Sequence, residues 1–282
     1  MLKGMGNEAL IRIAAFGGSF LTFALLESIA ARRQRTLGRS ERWTGNLGIS
    51  LLNSLLMRVV FPGAEAGVAA AVYGEGFGLF GLLNPPYWLQ VAGTLVLLDI
   101  VLYLQHVLFH TLPLLARIHR MHHIDPELDS SSGLRFHPLE MLISTGLKIA
   151  VVLLLGAPPL AVLLFAVILN TASIFNHANL RLPISFDRRL RLLLVTPDMH
   201  RVHHSVIREE RNSNFGFSVS WWDRLLGTYR AQPRDGHLGM VIGFPGVAGR
   251  RATGLLWMLL HPFLPAPGSA QRRRAEEPSA ER

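Results

Sequence analysis

Nine of the twelve histidines fall into a spaced pattern: His106-x3-His110, His119-x2-His122-His123, His177, and His200-x2-His203-His204. Residues three and four apart share a helix face, so each spaced group is expected to present two or three imidazoles in one direction. Neutral imidazole is the commonest metal ligand among side chains. Three imidazoles in one turn cannot all carry charge without repulsion. Nor are they readily buried neutral with hydrogen-bond partners for every nitrogen. Metal binding resolves both difficulties. The His106/His110 pair taken alone reads equally well as a cap at a membrane interface. An all-nitrogen donor set suits Zn, Cu, Fe or Ni. Structural zinc takes four ligands, and nine histidines exceed that twice over. Two metals with four or five imidazoles each fit the pattern and leave positions for oxygen or substrate.

The elements that carry these residues are apolar. Half of the 282 residues are hydrophobic and 17% are charged, against about 25% in a soluble domain. The mean hydropathy is +0.31. The net charge of +9 comes from Lys and Arg that flank the apolar runs, as in loops facing anionic headgroups, and does not indicate nucleic-acid binding. There is no cysteine, which excludes disulfides, thiolate zinc sites and cysteine-ligated iron–sulfur clusters. No electron-transfer segment is evident, so a redox reaction requires an external electron donor.

Residues 9–30 are long enough to span a bilayer, with Glu27 reaching the interface. The basic flank at Arg32, Arg33 and Arg35 marks this segment as a retained membrane helix and not a cleaved signal. Residues 44–61 form a weaker second span containing Asn46, Asn53 and Arg58. Residues 62–86 read as a glycine-rich connection partly embedded in the interface. Residues 87–109 form a strong third span. Residues 141–176 read as a hairpin broken at Gly156-Ala157-Pro158-Pro159, with legs of about 16 and 18 residues that either span fully or re-enter. No Lys or Arg lies between Arg58 and Arg117, so the 62–86 connection belongs outside and the histidines on the cytoplasmic side. His177 returns to the face that carries His119–His123. The expected class is all-α integral membrane, built on transmembrane or re-entrant helices. Its parts are membrane helices and connection over 1–86, the histidine-bearing segment over 87–230, and an extension over 231–266 with an interfacial helix at 254–264. A disordered basic tail is expected over 267–282.

The order HxxxH, HxxHH, lone histidine, HxxHH resembles the fatty acid hydroxylase/sterol desaturase superfamily of membrane non-haem di-iron enzymes. Matching pieces are Arg135-Phe136-His137-Pro138-Leu139-Glu140, Asn176-His177-Ala178-Asn179, Thr196-Pro197-Asp198-Met199-His200, and Asn214-Phe215-Gly216 leading to Trp222-Asp223-Arg224-Leu225-Leu226-Gly227-Thr228-Tyr229. The resemblance covers roughly residues 90–230 and implies a cytosolic helical cap on a bundle of about four transmembrane or re-entrant helices, with 87–230 as the catalytic domain. It implies that His106, His110, His119, His122, His123, His177, His200, His203 and His204 ligate two iron ions, with zinc as a substitute. It also implies O2 as co-substrate, a membrane lipid as substrate, and hydroxylation or desaturation as the reaction. His137 lies in a family motif and is either a tenth ligand, a residue supporting the ligands, or a hydrogen-bonded histidine preceding Pro138. Ligating histidines usually donate their other N–H to a carboxylate or carbonyl, and Asp99, Glu140, Asp198 and Asp223 are the candidates. Asp99 sits within a span and seven residues before His106, on nearly the same helix face. Trp221, Trp222 and Tyr229 read as interface anchors or packing, and His237 and His261 lie outside every motif. The fatty-acid 2-hydroxylase branch has a further histidine soon after its counterpart of His177. Leu180 and Arg181 stand there in this chain, which favours a sterol-desaturase-like or other polycyclic or alkyl-lipid substrate. Two other classes remain open: a membrane metal-binding or metal-transport protein, and a non-catalytic lipid-binding member of the same family. The intact clusters weigh against the latter.

Overall fold

The computed structural model of the protein describes residues 2–247 and 250–264. Among these residues there is no β-strand, only isolated bridges such as Ala31 with Leu180. The helices that reach membrane length are α1 (Leu2–Ile29), α2 (Arg39–Val60), which continues past a break at 61–63 into α3 (Ala64–Val72), and, after the short α4 (Gly78–Leu83), α5 (Tyr87–Thr111). The helix α6 (Pro113–His123) follows, then α7 (Pro138–Leu155) and α8 (Pro159–His177). Short helices α9 (Ile184–Leu190), α10 (Pro197–His203), α11 (Arg208–Arg211), α12 (Trp221–Leu225), α13 (Gly236–Gly239) and α14 (Leu255–Leu260) form the remainder.

Among the described residues, five helical stretches are long and apolar enough to cross a bilayer: Glu8–Ile29, Arg39–Val72, Tyr87–Thr111, Pro138–Leu155 and Pro159–His177. Only 6% of the α1 window is buried, and 39% even in α5. Apolar helices that keep such surfaces exposed face lipid, not a soluble core. The count exceeds the expected four or so because both hairpin legs qualify. They are longer than the apolar run suggests, at 18 and 19 residues. Pro138 and Pro159 each take the first helical position, where a missing N–H costs nothing and φ is already set. Gly156 closes α7 in the left-handed conformation, with φ +63.

The centre of the bundle is α8, which packs against α1, α3 and α5, while α6 folds back on α5. The 62–86 connection is helical and embedded: α3 packs on α7 and α8, and Glu65 pairs with Lys148 at 2.6 Å. A Cβ on Gly78 would lie 2.3 Å from the Gly156 nitrogen, so α4 meets the hairpin turn backbone to backbone. That contact places the connection at the end of the bundle opposite the C-termini of α5 and α8. The expected interfacial segment forms α14 and a 3-10 turn at His261–Phe263, and α14 packs against α2 with Met258 buried. The tail from 267 lies outside the described residues.

Glu27, expected to reach the interface, turns its carboxylate into the protein. It is fully buried, and its Oε2 accepts from the backbone nitrogens of Ser130 and Asn179, both at 3.0 Å. Its Oε1 pairs with Arg35 and Arg39 at 3.3 and 3.2 Å. One carboxylate thus ties the ends of α1, α2 and α8 to the loop after α6. The 3-10 turn Ser132–Leu134 in that loop packs on α8 so closely that a Cβ on Gly133 would lie 2.5 Å from the Ser173 carbonyl oxygen. Replacing Gly133 with Ala is expected to lower stability by about 1–3 kcal/mol. The control is Gly146→Ala in α7, where a Cβ meets nothing within 4 Å and a gain of about 0.5–1 kcal/mol is expected from helix propensity. Thermal melts of both variants in detergent measure the difference. Equal melting temperatures would remove the close contact as a constraint.

Candidate metal centre

The elements bring all nine spaced histidines to the end of the bundle where α5 and α8 stop. His106 and His110 lie in the last turns of α5, His177 is the last residue of α8, and α6 and α10 supply the two HxxHH sets. They form two groups. His106, His110, His119, His123 and His203 each offer one nitrogen within 4.8 Å of the others, and His122, His177, His200 and His204 do the same. The expectation that each HxxHH faces one way is corrected here. Each set divides, because a helix turns about 100° per residue. The i and i+4 members stay about 40° apart and share a group, while the i+3 member points to the other. His119 and His123 serve the five-histidine group and His122 the four. In the second set the roles reverse: His200 and His204 serve the four and His203 the five.

Hydrogen bonds at the other ring nitrogen fix most of the rings. Nδ1 of His106 donates to the Phe215 carbonyl at 2.7 Å, of His122 to Arg135 at 3.1 Å, of His177 to Ser173 at 2.7 Å and of His203 to Ser213 at 2.8 Å. A carbonyl can only accept, so the proton sits on Nδ1 and Nε2 carries a lone pair. Nδ1 of His119 meets the Glu140 carboxylate at 2.7 Å and that of His110 meets Asn212 at 3.3 Å. The Nε2 atoms then converge: 3.0 Å between His122 and His177, 3.2 Å between His106 and His119, 3.1 Å between His110 and His123 and between His177 and His200. Two lone pairs cannot hydrogen-bond to each other. His122 and His177 therefore face each other with acceptors only, and the buried Nε2 of His203 has no protein partner at all.

A cation relieves this arrangement. Two donors at right angles around an ion, each about 2.1 Å from it, lie about 3.0 Å apart. The observed spacings suit that edge, and both nitrogen-only sets fit a borderline transition metal. Burial pushes His122, His123, His200, His203 and His204 well below the ordinary imidazole value of 6.5, so these rings are neutral and ready to ligate at neutral pH.

The candidate supporting residues divide. Glu140 bonds His119 as expected. Asp99 does not reach a histidine: its Oδ2 accepts from Trp222 Nε1 at 2.8 Å, so Trp222 is a specific hydrogen-bond donor as well as packing. Asp198 bonds Arg32 and Arg201 and lies 3.6 Å from His237. Asp223 acts one step away. It accepts from the nitrogens of Phe215 at 2.7 Å and Gly216 at 2.9 Å and so holds the carbonyl that orients His106. His137 lies outside both groups and caps α7, accepting from Leu139 N and donating to the Leu259 carbonyl, both at 3.2 Å. The tenth-ligand reading of His137 is therefore not supported. His237 and His261 are buried apart from both groups.

Behind His122 lies an ionic plate that spacing alone did not reveal. Arg42 binds Asp125 through Nε and Nη2 at 3.0 and 2.8 Å and also pairs with Asp129. Arg135 donates to the Met121 carbonyl and to Asn46, each at 3.0 Å. Burial works to raise the Asp125 carboxyl, and the charges of Arg42 and Arg135 overcome it and hold it at about 2. Arg42 looked like one more residue of a basic flank. Its signal is its distance in sequence from the DPELD acidic pair, which only the fold closes.

A family model described as fatty acid hydroxylase matches residues 91–228. The ornithine lipid hydroxylase OlsE of Rhizobium tropici is 33% identical over 211 residues, covering 72% of this chain and 59% of that protein. Cholesterol 25-hydroxylases of Rattus norvegicus and Homo sapiens are 29% and 32% identical, covering 51% and 48% of this chain and 48% and 49% of their own lengths. The chain thus spans about half to three-fifths of the length of these relatives. No solved structure matches it. All nine converging histidines lie inside the matched segment. Through residues 91–228 the chain belongs to the fatty acid hydroxylase family, within the fatty acid hydroxylase/sterol desaturase superfamily.

Proposed function

We propose that this protein is a membrane-bound, O2-dependent lipid hydroxylase whose two histidine groups each hold an iron ion, with residues 87–230 as the catalytic unit. The observation that carries the reading is the face-to-face approach of the His122 and His177 Nε2 lone pairs at 3.0 Å, inside two groups of five and four nitrogen donors. The three relatives named above are hydroxylases, which favours hydroxylation over desaturation. The distribution of Lys and Arg favours a cytoplasmic position for the histidine end. The metal-transport reading gains nothing from nine histidines gathered at one end of the bundle.

A di-iron centre, when bound, supplies the oxidising power for an unactivated C–H bond. Hydroxylation takes O2, two electrons and two protons per substrate, inserts one oxygen atom and releases the other as water, so an external electron donor is required. The share of the chain is geometric. Carbonyls and Glu140 hold the Nε2 lone pairs inward, the apolar packing of α5, α7 and α8 limits water, and the exposed helix faces keep the site beside the lipid.

Protein purified from iron-supplemented cells is expected to carry about two irons per chain. His122→Ala removes a donor from the four-histidine group and His203→Ala one from the five, so each should lower metal content while the chain remains membrane-inserted. Full metal loading in both would refute the assignment. Lipid extracts of an expressing host supplied with heavy-isotope O2 should show one labelled oxygen in a lipid, absent in both variants. Glu140→Gln keeps the shape but weakens the bond to His119. It should cost about 10–100-fold in metal affinity or activity, read from chelator competition.

Acid should release the metal. The five rings outside the spans have folded-state values below the unfolded value of 6.5. Above that pH they are neutral in both states and contribute no pH dependence. As pH falls below it, the unfolded chain takes up protons that the folded site resists, so stability declines, and protons compete with metal for Nε2. Melting temperature should be flat from pH 8 to about 6.5 and fall below it, and metal content should fall only at lower pH, where the folded rings take up protons. Loss that instead began at alkaline pH would contradict histidine ligation.

A further inference from the structure

Beside the five-histidine group lies a cavity of about 200 Å³, reached by His110, His119 and His123. Its wall carries four arginines: Arg117, Arg120, Arg208 and Arg211. No ion pair joins any of them to a carboxylate among the described residues. Glu209, the neighbour of Arg208 on α11, acts on Arg211 only at a distance. Arg120 is 5% exposed and its Nε has no hydrogen-bond partner, although Nη2 donates to the carbonyls of His261 and Leu264. Arg117 Nε donates to the Pro262 carbonyl, and Arg211 donates to the Val206 carbonyl and stacks on Phe244. These backbone contacts hold the guanidinium groups in place without neutralising them.

Four unneutralised cations around one cavity repel one another unless an anion joins them. Guanidinium is suited to carboxylate and phosphate because its N–H fork matches two oxygens at once. The rim indicates where the anion comes from. Leu112 and Leu114 flank Pro113 of the cavity wall, and Phe263 follows Pro262, whose carbonyl Arg117 holds; 47%, 71% and 63% of their surface is exposed. Large apolar side chains exposed next to arginines, of which Arg120 is buried and Arg117 and Arg208 are exposed, match the boundary of a bilayer, where acyl chains end and headgroups begin.

We propose that this arginine vestibule binds the anionic group of a lipid headgroup, a phosphate or a carboxylate, and so seats a lipid of net negative charge beside the five-histidine group. That the seated lipid is the substrate rests on the oxidising role proposed for those histidines, whereas the binding itself does not. An uncharged sterol would leave the four arginines without a counter-ion, so of the polycyclic and alkyl-lipid substrates expected from sequence the vestibule favours a charged alkyl lipid.

The test uses the full chain, reconstituted in vesicles of phosphatidylcholine and phosphatidylglycerol and then extracted for native mass spectrometry. Wild type should retain phosphatidylglycerol over phosphatidylcholine. Arg117→Gln combined with Arg208→Gln should reduce that preference roughly tenfold at unchanged metal content. Arg208 is exposed, so Arg208→Gln alone gives a smaller loss and reports even if the double variant folds poorly. Equal retention of the two lipids by wild type, or an unchanged preference in both variants, overturns the proposal. Displacement of phosphatidylglycerol by inorganic phosphate would mark a site for free anions and overturn the lipid assignment. Lipid preference retained in a protein that takes up no metal would count against the hydroxylase reading and leave the vestibule standing.

Discussion

Everything in this fold answers to one constraint: the inward nitrogens of nine imidazoles, eight of them buried and His110 half-buried, must find a partner that the protein does not supply. A neutral imidazole has one donor and one acceptor. Once Nδ1 of His106, His122, His177 and His203 donates to a carbonyl, each Nε2 can only accept. Nearly every neighbouring group is another imidazole in the same state. Buried acceptors without donors cost about 1–3 kcal/mol each, so the apo site opposes folding locally. A cation reverses the sign of that interaction.

The remaining structure holds the rings against this repulsion. Helix packing orients α5 and α8, but α6 and α10 are short and lie outside the spans, where lipid lends no support. There the ionic plate takes over. Arg42 reaches from α2 to Asp125 and Asp129, and Arg135 reaches to the Met121 carbonyl next to His122. Removing one partner of such a buried pair costs about 3–5 kcal/mol because the other charge is stranded. The plate is therefore better understood as a means of fixing position than as a source of net stability. Its location matters too. Placed at the ends of the spans, its charges avoid the hydrocarbon, and the irregular backbone of 124–137 is tolerated there as it would not be at mid-bilayer.

Much of this was legible in the residues. The apolar runs pointed to the long helices, about four expected against five found, because twenty or so apolar residues allow little else in a bilayer. The spaced histidines gave the site, because no packing role explains three imidazoles in a turn. What sequence could not give was anything closed by the fold over long separations. Asp99 looked like a support for His106 from its heptad spacing, yet it turns to Trp222, 123 residues away. Glu27 looked interfacial and is the knot joining three helix ends. His137 sat in a recognisable motif and proved to be a helix cap, a local role that its place before Pro138 was enough to suggest. Errors fell where a polar side chain had two plausible partners, one near in sequence and one near only in space.

The division of each HxxHH between the two groups carries a further consequence. His122 and His123 are consecutive yet serve different groups, and so are His203 and His204. Adjacent Cα atoms are about 3.8 Å apart whatever the helices do. The separation of the two candidate metal positions is thus tied to covalent geometry at two points on opposite walls, not to the packing of one helix on another. Membrane helices shift and tilt with their surroundings, and a spacing set by packing alone would shift with them. A doubled HxxHH thus links the two groups through adjacent residues at two points, so that the bundle can carry the pair with less dependence on helix packing.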